Sequence, residues 1–210
     1  LTETLTTIKG LLKNKRFMIF VVIALLFYMS WHMDWTLYYL SEVSYLGANE
    51  AWLSYFNISS ALVQFLTIGF WTKFNEKFGV RAGFIFAGVG LLISPFVVNI
   101  SLSVPAAYGL TTFLVIHAIS NIPFSLINLN SIQCLLQVID PNNKALSVAL
   151  YTILITLSNA IMPMAGVTLY THMGENLAGL MHTYWIILGI RLVTTLLLAA
   201  RWWVLRREPK

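Results

Sequence analysis

The chain has 210 residues, 58% of them hydrophobic and 10% charged, with a formal net charge of +5 and a mean hydropathy of +0.77. Soluble domains carry about 25% charged residues, so this composition excludes a water-soluble globule. It also argues against nucleic acid as a partner, because Lys and Arg are spread along the chain in small groups whose simplest counterpart is anionic lipid.

Residues 1–16 read as an amphipathic cytoplasmic linker. Leu5, Ile8, Leu11 and Leu12 recur at helical spacing beside Lys9, Lys13 and Lys15, the pattern of a short helix lying on a membrane face. The stretch lacks the layout of a signal peptide, and because it does not open on Met a fragment or processed product is expected. Six apolar runs follow, approximately Phe17 to Leu40, Ala51 to Trp71, Ala82 to Val98, Val104 to Leu126, Leu146 to Tyr170 and Leu180 to Val204. Each is near the ~20 residues that cross ~30 Å of hydrocarbon as a helix. Continuous runs of this length are unlike the alternating strands of about ten residues found in barrels. An all-α integral membrane fold is therefore expected, with a six-helix domain over 17–205 and a cytoplasmic tail over 206–210.

Charge sets the orientation. Lys9, Lys13, Lys15 and Arg16 precede the first span, Lys73, Lys77 and Arg81 lie between the second and third, and Lys144 lies between the fourth and fifth. Arg201, Arg206, Arg207 and Lys210 close the chain, whereas the opposite connections carry Glu42, Glu50, His172, Glu175 and His182. The positive-inside rule then places both termini in the cytoplasm of a multi-pass cell-membrane protein.

Six spans divide into two sets of three, about 17–99 and 104–205, which run in opposite senses because three is odd. This is the arithmetic of two inverted repeats. The first helix of each set carries a polar stripe. Trp31, Asp34, Trp35, Tyr38 and Glu42 share one side of the first span, opposite Val22, Leu26, Met29, Met33, Leu37 and Leu40. His117, Asn121, Phe124 and Asn128 share one side of the fourth, which Pro123 should bend. Facing stripes imply a solvated cavity with Trp31, Trp35, Tyr38, Asn121 and Asn128 on its walls. Asp34, whose carboxylate costs ~2.5–3.5 kcal/mol at a span centre and less toward the interface, and His117 are the candidate proton or cation sites. The bland alternatives are an aromatic interfacial belt for Trp31, Trp35 and Tyr38, and interhelical packing for Asp34 and His117.

Asn57, Gln64 and Asn159 read as interhelical hydrogen bonds, and Gly83, Gly88 and Gly90 as close helix contacts. Arg191, midway along the last span, must face protein, water or a bilayer defect, with no partner evident. Asn99-Ile100-Ser101 fits a glycosylation acceptor on an outer loop. Cys134 is the single cysteine, so neither an intramolecular disulfide nor a thiolate metal site is available.

The connection Glu76-Lys77-Phe78-Gly79-Val80-Arg81 resembles the Asp-Arg-x-Gly-Arg-Arg end of the signature loop that joins the second and third helices of a major facilitator superfamily half. Glu76 stands for the Asp, Lys77 for the first Arg and Thr72 for the leading Gly. Asp140-Pro141-Asn142-Asn143-Lys144-Ala145 resembles the inner loop that introduces the fifth helix of a half, and the lead-in to Asn14-Lys15-Arg16-Phe17 resembles the central linker before the seventh helix of a twelve-helix transporter. The resemblance implies a C-terminal six-helix half of a major facilitator fold, with its first and fourth helices beside the central cavity. It also implies that Glu76, Lys77, Gly79 and Arg81 form a cytoplasmic gate.

The function expected is secondary active transport of a small solute by alternating access, coupled to a proton gradient and needing no cofactor or metal. The expected partners are the solute, the bilayer, and an N-terminal six-helix half or a second copy. The alternatives are a non-transporting membrane receptor or scaffold of the same fold, and a membrane enzyme. The enzyme reading is disfavoured, since the chain has no Gly-x-Ser-x-Gly elbow and no His-Glu-x-x-His pair.

Overall fold

A computed structural model describes residues 10–139 and 143–206. Residues 10–13 are helical, with Leu11 buried and Leu12 exposed; Leu5, Ile8 and Lys9 of the predicted lead-in lie outside the described residues. Asn14 caps helix α1 (Lys15–His32), its side chain accepting from the Phe17 N–H at 3.2 Å. After a turn at Met33 and Asp34 the same span continues as α2 (Trp35–Leu40) and a π-helical turn (Ser41–Tyr45). The second and third spans are α3 (Glu50–Phe78), capped by Asn49, and α4 (Val80–Ser103). The fourth is broken into α5 (Ala106–Ser120) and α6 (Ser125–Leu136), and the last two are α7 (Lys144–His172) and α8 (Leu177–Arg206).

These segments give six helical spans long and apolar enough to cross a membrane, and no strand among the described residues. The fold is the expected all-α bundle of six spans. Five spans extend beyond the predicted apolar run at both ends, and the fourth, which begins at Ala106 instead of Val104, runs on to Leu136. Hydropathy registers only the hydrocarbon-facing part of a helix, and polar flanks continue it into the headgroups.

Helix α4 is the axis of the packing, with α8, α5, α6 and α3 around it, while α1 lies against α7 and α8. Two apolar clusters occupy the two ends of the bundle. Phe17, Phe20, Phe84, Leu135 and Leu198 belong to one, and Leu37, Phe56, Val98, Phe113 and Ile187 to the other. Asp34, Ser94 and Arg191 fall between them in register, so a buried polar layer crosses the middle of the bundle.

The predicted glycine contacts are present. A side chain at Gly83 would meet Asn75 and Asn130, at Gly88 Thr195, and at Gly90 Pro123. Gln64 donates to Asn121 at 2.8 Å, as expected of an interhelical hydrogen bond. Asn57 instead lines a cavity and Asn159 is exposed. The glycosylation reading of Asn99 is corrected: it lies inside α4, buried, with its amide directed at the Met181 carbonyl at 3.5 Å. A three-residue pattern carries no information on whether its Asn is on a loop.

Candidate functional site

Both first helices of the repeats are interrupted at mid-span, for different reasons. In the fourth span Pro123 supplies no N–H and crowds the preceding turn, and residues 121–124 form turns in place of helix. The first span has neither Pro nor Gly at its break. There Arg191 of α8 reaches across and takes the carbonyls of Ser30 (Nε, 3.1 Å) and Trp31 (Nη2, 3.3 Å), which an unbroken helix would offer to the N–H groups of Asp34 and Trp35. The α7 backbone closes on the same place: a side chain at Gly166 would collide with the Met33 carbonyl.

Arg191 is fully buried and uses its whole donor set. Besides the two carbonyls it donates to the Leu91 carbonyl at 3.0 Å and to Ser94 Oγ, and its Nη2 lies 2.7 Å from Asp34 Oδ1. Five acceptors thus meet the five N–H groups of a guanidinium. Asp34 is buried as well, and its second oxygen, Oδ2, has no hydrogen-bond partner among the described residues.

Beside this pair lies a cavity of about 340 Å³ lined by Trp31, Asp34, Trp35, Tyr38, Glu42, Asn57, Ser94, His117, Ser120 and Phe124. The structure therefore brings together the entire stripe of the first span with His117 and Phe124 of the fourth. Trp31 meets Trp35 and Phe124 edge-on at centroid distances of 5.8 and 5.6 Å. Tyr38 donates to the Ser94 carbonyl at 3.2 Å, and His117 stacks on Phe113 at 5.2 Å. His117 Nδ1 has no partner among the described residues, and Nε2 is 3.4 Å from Asn121 Nδ2.

Asn121 is not among the lining residues. Its amide is committed to Ser60 at 3.1 Å, to the His117 carbonyl at 2.9 Å and to Gln64, and so ties the break of the fourth span to α3. The side chain of Asn128 lies outside the described residues. Sequence reasoning missed Ser94 and Ser120 on the wall, and missed His32, which bonds Ser158 of α7 at 3.1 Å and packs against Trp35.

At one end of the bundle the four candidate gate residues fall around the turn between α3 and α4. Gly79 holds that turn at φ +88°, a conformation that side-chain-bearing residues rarely adopt. Arg81 Nε donates to Gln137 beyond the end of α6 at 2.9 Å, and the Lys77 ammonium lies 5.2 Å from the Phe78 ring centroid. Glu76 is exposed and makes no ion pair among the described residues. Just inside, the amides of Asn75 and Asn130 bond each other at 2.5 and 3.1 Å, a link between the two repeats. Asp140, Pro141 and Asn142 of the second loop motif lie outside the described residues.

Interrupted helices that border a polar cavity at mid-span define a multi-pass helical membrane protein of the carrier type. A family model described as MFS/sugar transport protein matches residues 2–144, over half of the chain and all of the first four spans. The chain belongs to that family and is a transporter of the major facilitator type. No curated protein matches the chain, and no solved structure does.

Proposed function

We propose that the chain is one half of a secondary active transporter that moves a small hydroxyl-rich solute of the sugar class by alternating access, coupled to a proton gradient. The observation that carries this reading is the cavity beside Asp34. At about 340 Å³ it lies within the ~300–1,000 Å³ usual for small-molecule sites. Trp31 and Trp35 supply flat apolar faces, and Asp34, Glu42, Asn57 and Ser120 supply hydrogen-bonding groups. No Lys or Arg lines it among the described residues, which disfavours a polyanion. The family description, a sugar transport protein, points the same way.

Coupling falls to Asp34 or His117. Asp34 Oδ2 and His117 Nδ1 have no hydrogen-bond partner among the described residues, so each offers an atom to take up a proton once solute or water reaches it. The test is uptake of labelled sugars into proteoliposomes under an imposed pH gradient. Saturable accumulation that collapses with a protonophore is expected. Asp34→Asn or His117→Gln should abolish accumulation and spare part of the exchange. Wild-type accumulation in both variants would remove these two as the coupling groups, and no flux in the wild type, alone or with a partner half, would favour a receptor or scaffold.

A further inference from the structure

A second cavity, of about 350 Å³, lies at the end of the bundle that carries the Arg81 turn, away from the solute cavity. Arg16 of α1, Arg81 of α4 and Arg201 of α8 all line it, and no Asp or Glu does among the described residues. Its other walls include Ile19, Leu197 and Val204; Ile19 and Val204 are more than half exposed.

Arg201 is the informative member. Its side chain is only 9% exposed, and its contact among the described residues is with an aromatic face, the guanidinium carbon lying 4.9 Å from the Phe20 ring centroid. It has no hydrogen bond and no carboxylate there. Its nitrogens are not sealed off from the cavity it lines, so they remain open to an anionic acceptor there. Arg81 uses Nε on Gln137, and among the described residues no hydrogen bond occupies its two terminal nitrogens.

We infer that this cavity is a binding site for an anionic phospholipid of the adjacent leaflet, its phosphate held between Arg201 and Arg81 and its acyl chain laid along Ile19, Leu197 and Val204. Guanidinium groups match phosphate oxygens in charge and fork geometry. An apolar wall continuous with exposed helix surface favours a lipid over a soluble phosphate, which would gain nothing from that wall. Basic pockets between spans on the positively charged side of a membrane protein commonly take such headgroups. The site joins the first, third and sixth spans, so a bound lipid would bridge both repeats.

The test uses the full chain in detergent micelles titrated with phosphatidylglycerol, phosphatidylcholine or glycerol phosphate, read by native mass spectrometry and by the thermal unfolding midpoint. Phosphatidylglycerol should bind selectively and raise the midpoint. Arg81→Gln, on the more exposed arginine, should weaken that binding about fivefold, with the midpoint shift read against the variant's own lipid-free midpoint. Arg201→Lys should weaken it too, since an ammonium keeps the charge and loses the fork. Equal binding of phosphatidylcholine, or undiminished phosphatidylglycerol selectivity in both variants, overturns the proposal. A midpoint shift by glycerol phosphate as large as that by the lipid would assign the cavity to a soluble anion instead. Selectivity that emerges only in Glu208→Gln would assign it to the chain's own tail.

Discussion

Arg191 and Asp34 are the clearest example of one side chain deciding the shape of the site. An arginine on the last span reaches five acceptors on the first and third, and in doing so removes two carbonyls from the helical ladder of α1. Arg191→Met would strip all five bonds and leave the Asp34 carboxylate buried without compensation, a loss of about 3–5 kcal/mol. Arg191→Lys, which keeps the charge and three of the five donors, should cost less than Arg191→Met. The pair itself is tested by a double-mutant cycle on thermal unfolding in micelles: Arg191→Met should cost less in an Asp34→Asn background than in the wild type. Strictly additive costs would deny the ion pair. The first-span stripe was readable from spacing because side chains three and four apart share a helix face, and every one of its members lines the cavity. The partner of Arg191 was not readable, since spacing within a helix says nothing of contacts across 157 positions, although Asp34 was the deepest carboxylate on offer.

At the scale of elements, the two breaks differ in how they are encoded. Pro123 announces its own break locally. The break at Met33 and Asp34 comes from outside the helix, from Arg191 and from the α7 backbone pressed against the Met33 carbonyl, and a local reading of the first span gives one unbroken helix. Gly166→Val should accordingly destabilise the protein by about 1–3 kcal/mol, the usual cost of overpacking. Gly69→Val, on a helical glycine facing open space, serves as the control and should leave the unfolding midpoint near wild type. The turn between α3 and α4 supplies a second element-scale prediction. If the exposed Glu76 gains a cationic partner or a helix N-terminus only when the inner side closes, Glu76→Gln shifts the population toward the open form. Labelling of a cysteine at Asn128 from that side should then rise, with expression unchanged. Unaltered labelling together with wild-type flux would leave Glu76, Lys77 and Arg81 as a solvated loop that fixes topology.

Orientation and partnership belong to the whole molecule. Membrane-impermeant reagents applied from outside should label cysteines placed at Glu50 or Glu175 and miss those at Lys77 or Lys144. Outside labelling at Lys77 would invert the molecule. Burial is very uneven among the spans: only 6% of the apolar stretch of the second span and 17% of the fifth are covered by the chain itself, against 56% of the first and third. Phe65 on α3 and Ile153 on α7 are among the large apolar residues left exposed. We expect these faces to be covered by an N-terminal six-helix half or a second copy, so cysteines at Phe65 or Ile153 should cross-link to a partner in native membranes. Cross-linking to lipid-mimetic probes alone would indicate faces solvated by bilayer.

The reach of Arg191 from α8 back to α1 also bears on how the chain is made. Ribosomal synthesis delivers the first span long before residue 191 exists, so Asp34 and the Ser30 and Trp31 carbonyls enter the membrane ahead of the group that satisfies them. Until the sixth span arrives, a chaperone, water or a straighter first helix must take their place. The polar layer is thus a late checkpoint of biogenesis: nascent chains arrested before α8 should stay protease-sensitive at the first span, and quality control that samples this layer can distinguish finished from unfinished molecules.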